Sequence, residues 1–452
     1  MTISDRRTVM AGLGLALGAG GAASAAGPKM RSEAARQAAM PGSEAGLETG
    51  TERDQTDRLQ ALIDASSTRG IPVLLPPGRF AARLLTLKPG AKLVGSARTT
   101  TIALAPDGHL SGEGADDVVL EGFAIDGRSG AGGPAEALLS FHNCRAVRLR
   151  DLEVVASPSN GINLSGCSGR VSDCTVRLTA RAGIRSLDAR GLDITDNAVT
   201  DCADNGILVW RSKVGEDGTL VSGNRIERIG AASGGSGQYG NGINVYRAGG
   251  VLVTANRIAD CAYTAIRGNA ASDIQVVANH CTRLGEVALY AEFGFDGALI
   301  AANLVDTAAS GISVTNFNEG GRLAVVQGNL IRNLFRREHE PQDKRGEGIG
   351  VEADTVVTGN TIEGAPTCGL KLGFGAYLRD VMATNNLIRN ARVGILVTGS
   401  AAAGPCHISG NLISNVRDGA IRAHDHDRIE GPDLAKGGSA PGRVSIGGNV
   451  VV

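Results

Sequence analysis

Two short patterns of apolar and polar residues recur along the chain after residue 122, and each predicts a β-strand. The first is Asn-x-apolar, whose members follow one another at intervals of 23 to 32 residues. The second is Gly-Ile, or a close equivalent, followed by side chains that alternate with the period of a strand. The first pattern begins at Asn197, Asn224, Asn256, Asn279, Asn303, Asn329, Asn360, Asn386 and Asn411. The second begins at Gly161, Gly183, Gly206, Gly242, Ala265, Ala288, Gly311, Gly348, Gly369 and Gly394.

Repeats of this length indicate a solenoid, and their content favours a parallel β-helix. A leucine-rich repeat needs Leu-x-x-Leu-x-Leu before its asparagine, which is not sustained here, and a propeller needs blades of roughly 40 residues. We therefore predict an all-β, right-handed parallel β-helix of about eleven or twelve turns, the hand following the rule for parallel crossovers. Stacked turns are expected to align the asparagines into an internal ladder that satisfies backbone groups at the corners.

The residues before the repeats predict a cap. Leu59, Leu62 and Ile63 fall at helical spacing, and two short buried strands follow around a Pro-Pro-Gly turn. The run DRLQALIDAS, then PVLLPPGRF and KLVG, resembles the N-terminal cap of pectin-lyase-like β-helix proteins, which include hydrolases, lyases, epimerases and phage tailspikes. We assign 27–53 to a linker, 54–121 to the cap and first strands, and 122–452 to the repeats.

Residues 1–26 read as an export signal. Arg6 and Arg7 precede a largely apolar run from Val9 to Ala19, and the small residues 23–25 resemble a cleavage site. The arginine pair resembles a twin-arginine signal, and an ordinary secretory signal is the alternative. We expect a periplasmic or secreted protein. No later run reaches the roughly 18 apolar residues of a membrane span, so no span is expected after signal removal.

The Gly-Ile strands predict an outward surface. Because the isoleucine points inward, the residues two and four positions after the glycine point outward. These positions form two columns that hold the sole tryptophan and two of the five tyrosines, a clustering that is not typical of a solvated sheet face. Insertions at 211–218, 231–240, 316–322 and 336–347 flank the columns, as insertions commonly flank a binding face. The predicted substrate-binding residues are Arg185, Trp210, Asn244, Tyr246, Asn269, Asn316 and Lys371.

Rings, amides and charges of both signs suit a carbohydrate chain. The candidate catalytic residues are Arg267, Tyr290, Glu292 and Glu352. Glu292 and Glu352 would lie two turns apart, about 9 to 10 Å, near the upper limit for an inverting glycosidase pair. A lyase or epimerase would instead use Tyr290 or Lys371 as base and Arg267 to neutralise a uronate, with calcium as a candidate cofactor of a lyase. A plain cross-turn salt bridge between Arg267 and Glu292 is the structural alternative.

Composition narrows the partners. The 452 residues include 65 glycines and carry a net charge of −1, which argues against a nucleic-acid partner because nucleic-acid binders are basic. The eight cysteines, with Cys202 and Cys261 at one place in two repeats, are either stacked free thiols or disulfides. The residues 424–427, HDHD, offer metal ligands, but we assign them to a solvated C-terminal loop away from the groove. No metal site is predicted.

Over nearly its whole length the chain resembles a bacterial family of twin-arginine-translocated repeat proteins. The resemblance rests on the arginine pair, the Asn repeats and the runs NGINVYRAGG, AIRGNAAS, ALYAEFGFDGALIAANLVD and GISVTNFNEGGRL. That family has no assigned reaction, so it implies fold and export. We expect an exported protein that contacts polysaccharide or oligosaccharide, as a lyase, epimerase or hydrolase, or else as a non-catalytic glycan-binding or envelope structural protein. The sequence does not set the oligomeric state.

Overall fold

The computed structural model describes residues 39–43, 46–50, 52–128, 136–315, 320–337, 346–426 and 428–452. The predicted signal segment, most of the predicted linker and Asn316 lie outside the described residues. Residues 40–452 form one compact unit. The domain boundaries proposed from the sequence therefore stay predictions.

The prediction of a right-handed parallel β-helix is confirmed, with about 13 turns and one short α-helix. Thirteen is more than the repeat count predicted, because strands between residues 73 and 126 already stack as turns although they lack both sequence landmarks. In the described part of the chain the strands form one sheet of 16 strands and one of 26. Their pairing is parallel except where Ile421–Asp425 meets Arg428–Glu430.

Each turn has three faces. Four long strands continue from the second face into the third and so belong to both. The first face comprises Met40–Pro41, Val73–Leu74, Lys92–Val94, Val119–Glu121, Val147–Arg150, Gly169–Ser172, Leu192–Thr195, Leu220–Ser222, Leu252–Thr254, Ile274–Val277, Asp296–Ala301, Arg322–Gln327, Ala353–Thr358, Arg379–Thr384, Cys406–Ser409 and Val444–Gly447. The second comprises Ala124–Asp126, Glu153–Ser157, Thr175–Thr179, Ala198–Cys202, Arg225–Ile229, Arg257–Cys261, Leu330–Arg332, Thr361–Glu363, Leu387–Ala391, Leu412–Val416 and Val450–Val451. The third comprises Ala137–His142, Asn160–Ser165, Ala182–Leu187, Asn205–Glu216, Asn241–Gly249, Ile266–Asn269, Glu347–Val351, Cys368–Leu372, Val393–Thr398 and Ile421–Asp425. The strands common to both are Gly78–Thr86, Thr100–Glu113, His280–Glu292 and Leu304–Thr315.

The predicted asparagine ladder lies at the corner between the first and second faces. Each side-chain amide donates to the Oδ1 atom of the next asparagine at 2.8 to 3.0 Å, and each backbone N–H donates to that same oxygen. The ladder runs from Asn197 to Asn449, one turn beyond the sequence pattern. The residue before each asparagine bends the chain through a positive φ, for example Ala302 at 54° and Gly328 at 63°. The ladder thus satisfies corner backbone groups that the bend removes from the sheets.

The core is a stack of aliphatic side chains. One inward column on the third face is at most 1% exposed and consists of Ile162, Ile184, Ile207, Ile243, Ile266, Leu289, Ile312, Ile349, Leu370, Ile395 and Ile421. All eight cysteines are free and buried, so stacking describes them and bridging does not. Cys202 and Cys261 occupy one column, separated by Ile229.

The N-terminal helix, α1 (Thr56–Arg69), buries Leu59, Leu62 and Ile63 and ends at Gly70 in the left-handed conformation. In the part of the chain described here, no helix has the length and apolar character to cross a membrane. The C-terminal HDHD run differs from its prediction. His424 lies on the strand Ile421–Asp425 and is 1% exposed, and it pairs with Thr398 on one side and with Ile429 on the other. Asp427 lies outside the described residues.

Candidate functional site

The outward columns of the third face have the register that the repeat predicted. One column runs Arg185, Leu208, Asn244, Arg267, Tyr290, Ser313, Gly350 and Lys371. The other runs Leu187, Trp210, Tyr246, Asn269, Glu292 and Thr315. Adjacent members belong to adjacent turns, about 4.8 Å apart. The parallel register therefore brings side chains that are more than twenty residues apart in sequence into direct contact.

Arg267 and Glu292 form a buried two-point ion pair. Arg267 Nε donates to Glu292 Oε1 and Nη2 donates to Oε2, each at 2.7 Å. The side chains are 10% and 2% exposed, respectively. Asn269 Nδ2 donates to Glu292 Oε1 at 2.7 Å as well. Both oxygens of Glu292 are therefore engaged by neighbours on the preceding turn, which fixes the carboxylate rather than leaving it open to exchange protons with a ligand.

Tyr290 lies against the same guanidinium, whose carbon is 4.8 Å from the ring centroid. This is the geometry of a cation–π contact. Burial, and after it the negative charge of Glu292, raise the pKa of Tyr290 above its ordinary value. A tyrosine whose pKa is raised is less available as a tyrosinate, so the environment disfavours the base role predicted for it.

A cavity of about 460 Å³ opens above these residues on the third face. Of the predicted residues, it is lined by Arg267, Tyr290, Glu292, Glu352 and Lys371. These five thus share one pocket, which we call the main cavity. Its volume is within the range of about 300 to 1,000 Å³ that small-ligand pockets occupy.

Three charged residues of the main cavity were not predicted from the sequence, namely Glu286, Arg337 and Glu347. Glu286 Oε2 is 3.8 Å from Arg267 Nη1, and Glu286 Oε1 is 3.8 Å from Arg337 Nη1. Lys371 Nζ is 3.2 Å from Glu347 Oε1. Glu286 and Glu347 lie just before the Gly-Ile position, at a corner where strand alternation does not apply. Charge beside an insertion was the available signal, since Arg337 and Glu347 both fall within 336–347.

Gly350 makes room for this cluster. It occupies the outward column between Ser313 and Lys371, where any other residue would project a side chain. A Cβ at this position would lie 3.3 Å from Glu347 Oε2. The missing side chain lets Lys371 extend across position 350 toward Glu347.

The remaining predicted residues that the structure describes lie outside the main cavity. Arg185 and Trp210 line a second cavity of about 520 Å³, and Arg185 Nη1 donates to Asn163 Oδ1 at 2.7 Å. Tyr246 and Trp210 pack in an edge-to-face arrangement, with ring centroids 6.0 Å apart, and the guanidinium carbon of Arg247 lies 4.7 Å from the centroid of Tyr246. Two of the ring's approaches are thus already occupied by protein.

Asn244 does not face solvent as predicted, because the insertion 231–240 covers it. The residue is 3% exposed. Its Nδ2 donates to the Gly237 carbonyl at 3.0 Å, and its Oδ1 accepts from Trp210 Nε1 at 3.3 Å. Asn244 therefore holds the insertion in place, and its amide is not directed toward a ligand.

Within the described residues, no three or more His, Cys, Asp and Glu side chains are grouped so that they could hold a metal ion. The carboxylates of the main cavity are instead interleaved with Arg267, Arg337 and Lys371. This donor set does not fit a calcium ion, which prefers several converging oxygens.

Comparison with known proteins supports the architecture. A family model described as a right-handed beta helix region matches residues 160–331. No curated protein matches the chain. A mutant tailspike protein of Escherichia coli bacteriophage HK620, solved in complex with a pentasaccharide, is similar with a TM-score of 0.55 and 13% identity, over 84% of this chain and 77% of that one.

The enzymatically active domain of tailspike protein 2 of bacteriophage CBA120 is similar with a TM-score of 0.50 and 13% identity. That match covers 64% of this chain and 47% of the other, so the chain spans about half the length of that relative. At such identity the similarity shows the fold alone.

Proposed function

We propose that this chain is an exported polysaccharide-active protein that hydrolyses glycosidic bonds of a neutral glycan in the main cavity. The observation that carries the proposal is that Glu286, Glu347 and Glu352 line one cavity whose wall also holds the Arg267–Glu292 pair. Glycoside hydrolysis commonly uses two carboxyl groups, one to protonate the leaving oxygen and one to activate water or attack the sugar. The cavity supplies carboxyl groups for both roles.

Glu286 and Glu347 are the pair best placed for this chemistry. Val287 pairs with Ser310, which pairs with Glu347, so the two carboxylates originate about two turns apart, roughly 10 Å by backbone. Their side chains line the same cavity. Inverting enzymes hold their carboxyl groups about 6.5 to 9.5 Å apart to admit a water molecule. The backbone spacing is near the upper end of that range, so we propose an inverting reaction, in which one carboxyl group donates a proton to the leaving oxygen while the other, as a carboxylate, accepts a proton from the water that attacks the anomeric carbon.

The charge balance favours a neutral glycan over a uronate. Among the residues that the structure describes, three cations and four carboxylates line the cavity, so their formal charges sum to 3 − 4 = −1. Arg267, Arg337 and Lys371 each lie within 4 Å of a carboxylate. A uronate carboxylate would have to compete with these existing partners. Elimination also needs a base, and the raised pKa of Tyr290 opposes that role.

Glu292 takes a positioning role in this proposal. Its two oxygens hold Arg267, which in turn lies over Tyr290 and beside Glu286. The pair thus fixes Arg267 in a position from which it orients the carboxylate of Glu286. The sequence predicts a catalytic role for Glu292, but both of its oxygens are engaged by Arg267 and Asn269, so we propose a positioning role instead.

The setting proposed for this activity is the periplasm or the exterior, reached by the twin-arginine route, as in the repeat family that the chain resembles. The support is the arginine pair and apolar run at the N-terminus. Two structural neighbours add support for a glycan, since one is a tailspike solved with a pentasaccharide and the other is an enzymatically active tailspike domain.

A non-catalytic glycan-binding or envelope protein is the second candidate. The observation that favours it is the Arg267–Glu292 pair, which is closed on itself and nearly inaccessible. A purely structural pair of this kind would serve a binding surface equally well. The two candidates differ in turnover alone.

The test incubates the purified protein with β-glucan, xylan, mannan, dextran, alginate and polygalacturonate, and records new reducing ends, unsaturated products and binding. Reducing ends from a neutral glycan are expected, and Glu286→Gln and Glu347→Gln should each lower the rate by about 10²-fold or more. Glu363→Gln, a surface change on the second face, is the matched control. Unsaturated products would refute hydrolysis, and binding without turnover would support the second candidate.

A further inference from the structure

The insertion 231–240 is fastened to the turn that precedes it. Asp204 accepts from the backbone N–H of Ser233 at 2.8 Å and from its hydroxyl at 2.7 Å. The Asp204 carbonyl accepts from Gly240 N at 2.6 Å. Asn205 Nδ2 donates to the Gln238 carbonyl at 3.0 Å. Both ends of the insertion and its middle are therefore held by hydrogen bonds.

The same insertion lies across the outward column. Its Gly237 carbonyl accepts from Asn244 Nδ2 at 3.0 Å and from Asn241 Nδ2 at 3.1 Å. A Cβ on Gly237 would lie 3.7 Å from Arg267 Nη2, so the loop backbone reaches the main-cavity wall. Asn244 beneath it is 3% exposed. At this turn the insertion 231–240 covers the column that the sequence predicted to be an open groove, and we call this cover the roof.

Two separate cavities result, one on each side of the roof. Ser236 lines the main cavity, whereas Gln238 and Tyr239 line the second cavity. No residue of the strand Asn241–Gly249 lines either of them. One side of the insertion thus faces each cavity, and its backbone separates them.

We propose that the insertion 231–240 closes the main cavity on this side, so that the cavity receives the end of a neutral glycan chain. A polymer that passed through would have to cross the turn at Asn244, where the insertion lies. A cavity of about 460 Å³ accommodates one or two sugar units. The inference rests on the proposed function and adds that the protein acts from a chain end and not at internal bonds.

Action at chain ends and action at internal bonds release different products. With the neutral polysaccharide that gives turnover, we follow viscosity and new reducing ends together. Action at chain ends predicts that short sugars appear while viscosity falls slowly. A rapid fall in viscosity at low release of reducing ends would overturn the inference while leaving hydrolysis intact. Absence of turnover on every neutral polymer would contradict hydrolysis, and binding then decides the inference.

Binding is measured with malto-, cello- and xylo-oligosaccharides from dimers to octamers, using Glu347→Gln protein. End recognition predicts that affinity stops rising after the short oligomers and falls when one chain end is blocked. Affinity that rises steadily to the octamer and ignores blocked ends would overturn the inference. Failure of all series to bind would contradict both the inference and the proposed function.

Variants of the insertion sharpen the result. Removal of residues 234–238 should open the roof and raise the viscosity loss per reducing end severalfold. Asn244→Ala, which removes one anchor of Gly237, should move the ratio in the same direction by less and tests the roof if the shortened protein does not fold. Asn415→Ala, an exposed asparagine far along the second face, is the control. If the shortened protein and Asn244→Ala both fold and neither changes the ratio of viscosity loss to reducing ends, the inference is overturned.

Discussion

The asparagine ladder and the main cavity are both rows of buried polar side chains on the same coil, yet they are organised in opposite ways. In the ladder every asparagine bonds the next asparagine and a neighbouring backbone carbonyl, and the arrangement repeats from turn to turn. In the cavity, cations pair with carboxylates in combinations that do not repeat from turn to turn, such as Arg267 with Glu292 and Lys371 with Glu347. Periodic polarity indicates structure here, and polarity that breaks the period indicates function.

Substitution of an asparagine in the ladder should cause the largest loss of stability. Asn303→Ala removes four hydrogen bonds, two accepted from Asn279 and one each donated to Asn329 and Val276. At about 1 kcal/mol each we expect a loss of about 4 kcal/mol in the free energy of unfolding. Chemical denaturation measures it. Gln275→Ala, which removes an exposed amide on the first face, should change stability by less than about 0.5 kcal/mol. Equal losses of stability in the two variants would contradict a stabilising role for the ladder.

Breaking the ion pair in the main cavity should cause a somewhat smaller loss of stability, which a second substitution should largely restore. Arg267→Met leaves the buried carboxylate of Glu292 without its ion-pair partner, and should cost about 3 kcal/mol of stability. Adding Glu292→Leu should recover most of that loss, because an apolar pair of similar volume replaces the ions. The double variant should remain folded yet lose glycan binding. If it bound glycan as tightly as the wild type, the pair would be structural, like the ladder.

A third buried polar group, in neither region, predicts the smallest effect. Burial raises the pKa of Asp217, whose side chain is fully buried, above its ordinary value. A raised pKa in the folded state means that this group's stability contribution is present at acidic pH and is lost as pH rises through that pKa. Asp217→Asn should therefore gain stability relative to the wild type as pH rises toward neutrality. Melting temperatures of both proteins across the acidic range measure this, and a difference that stays constant with pH would contradict it.

Periodicity explains how much the sequence could predict. The ladder, the inward isoleucine column and the contact of Arg267 with Glu292 follow from spacing, since a parallel coil converts equal repeat positions into neighbours. The buried positions of Leu289 and Ala291 follow from alternation, and both are at most 2% exposed.

The features that the sequence did not predict lie where periodicity ends. Glu286 and Glu347 lie at corners, where the rule of alternating side chains has no force. Asn244 falls at a correct outward position but is covered, because the path of the insertion 231–240 is set by bonds to Asp204 and Asn205 that no spacing encodes. Nearby glycine and proline residues predict a loop at His424, whereas the residue lies on the strand Ile421–Asp425.

The most direct test of the central claim is a crystal structure of Glu347→Gln protein soaked with oligosaccharides of a neutral glycan that the wild type cleaves or binds. We expect a terminal sugar inside the main cavity, within hydrogen-bond distance of Glu286 and of the substituted side chain at position 347, with the Arg267–Glu292 pair unmoved beneath it. A sugar chain that lies elsewhere on the coil while the main cavity holds only solvent would contradict it.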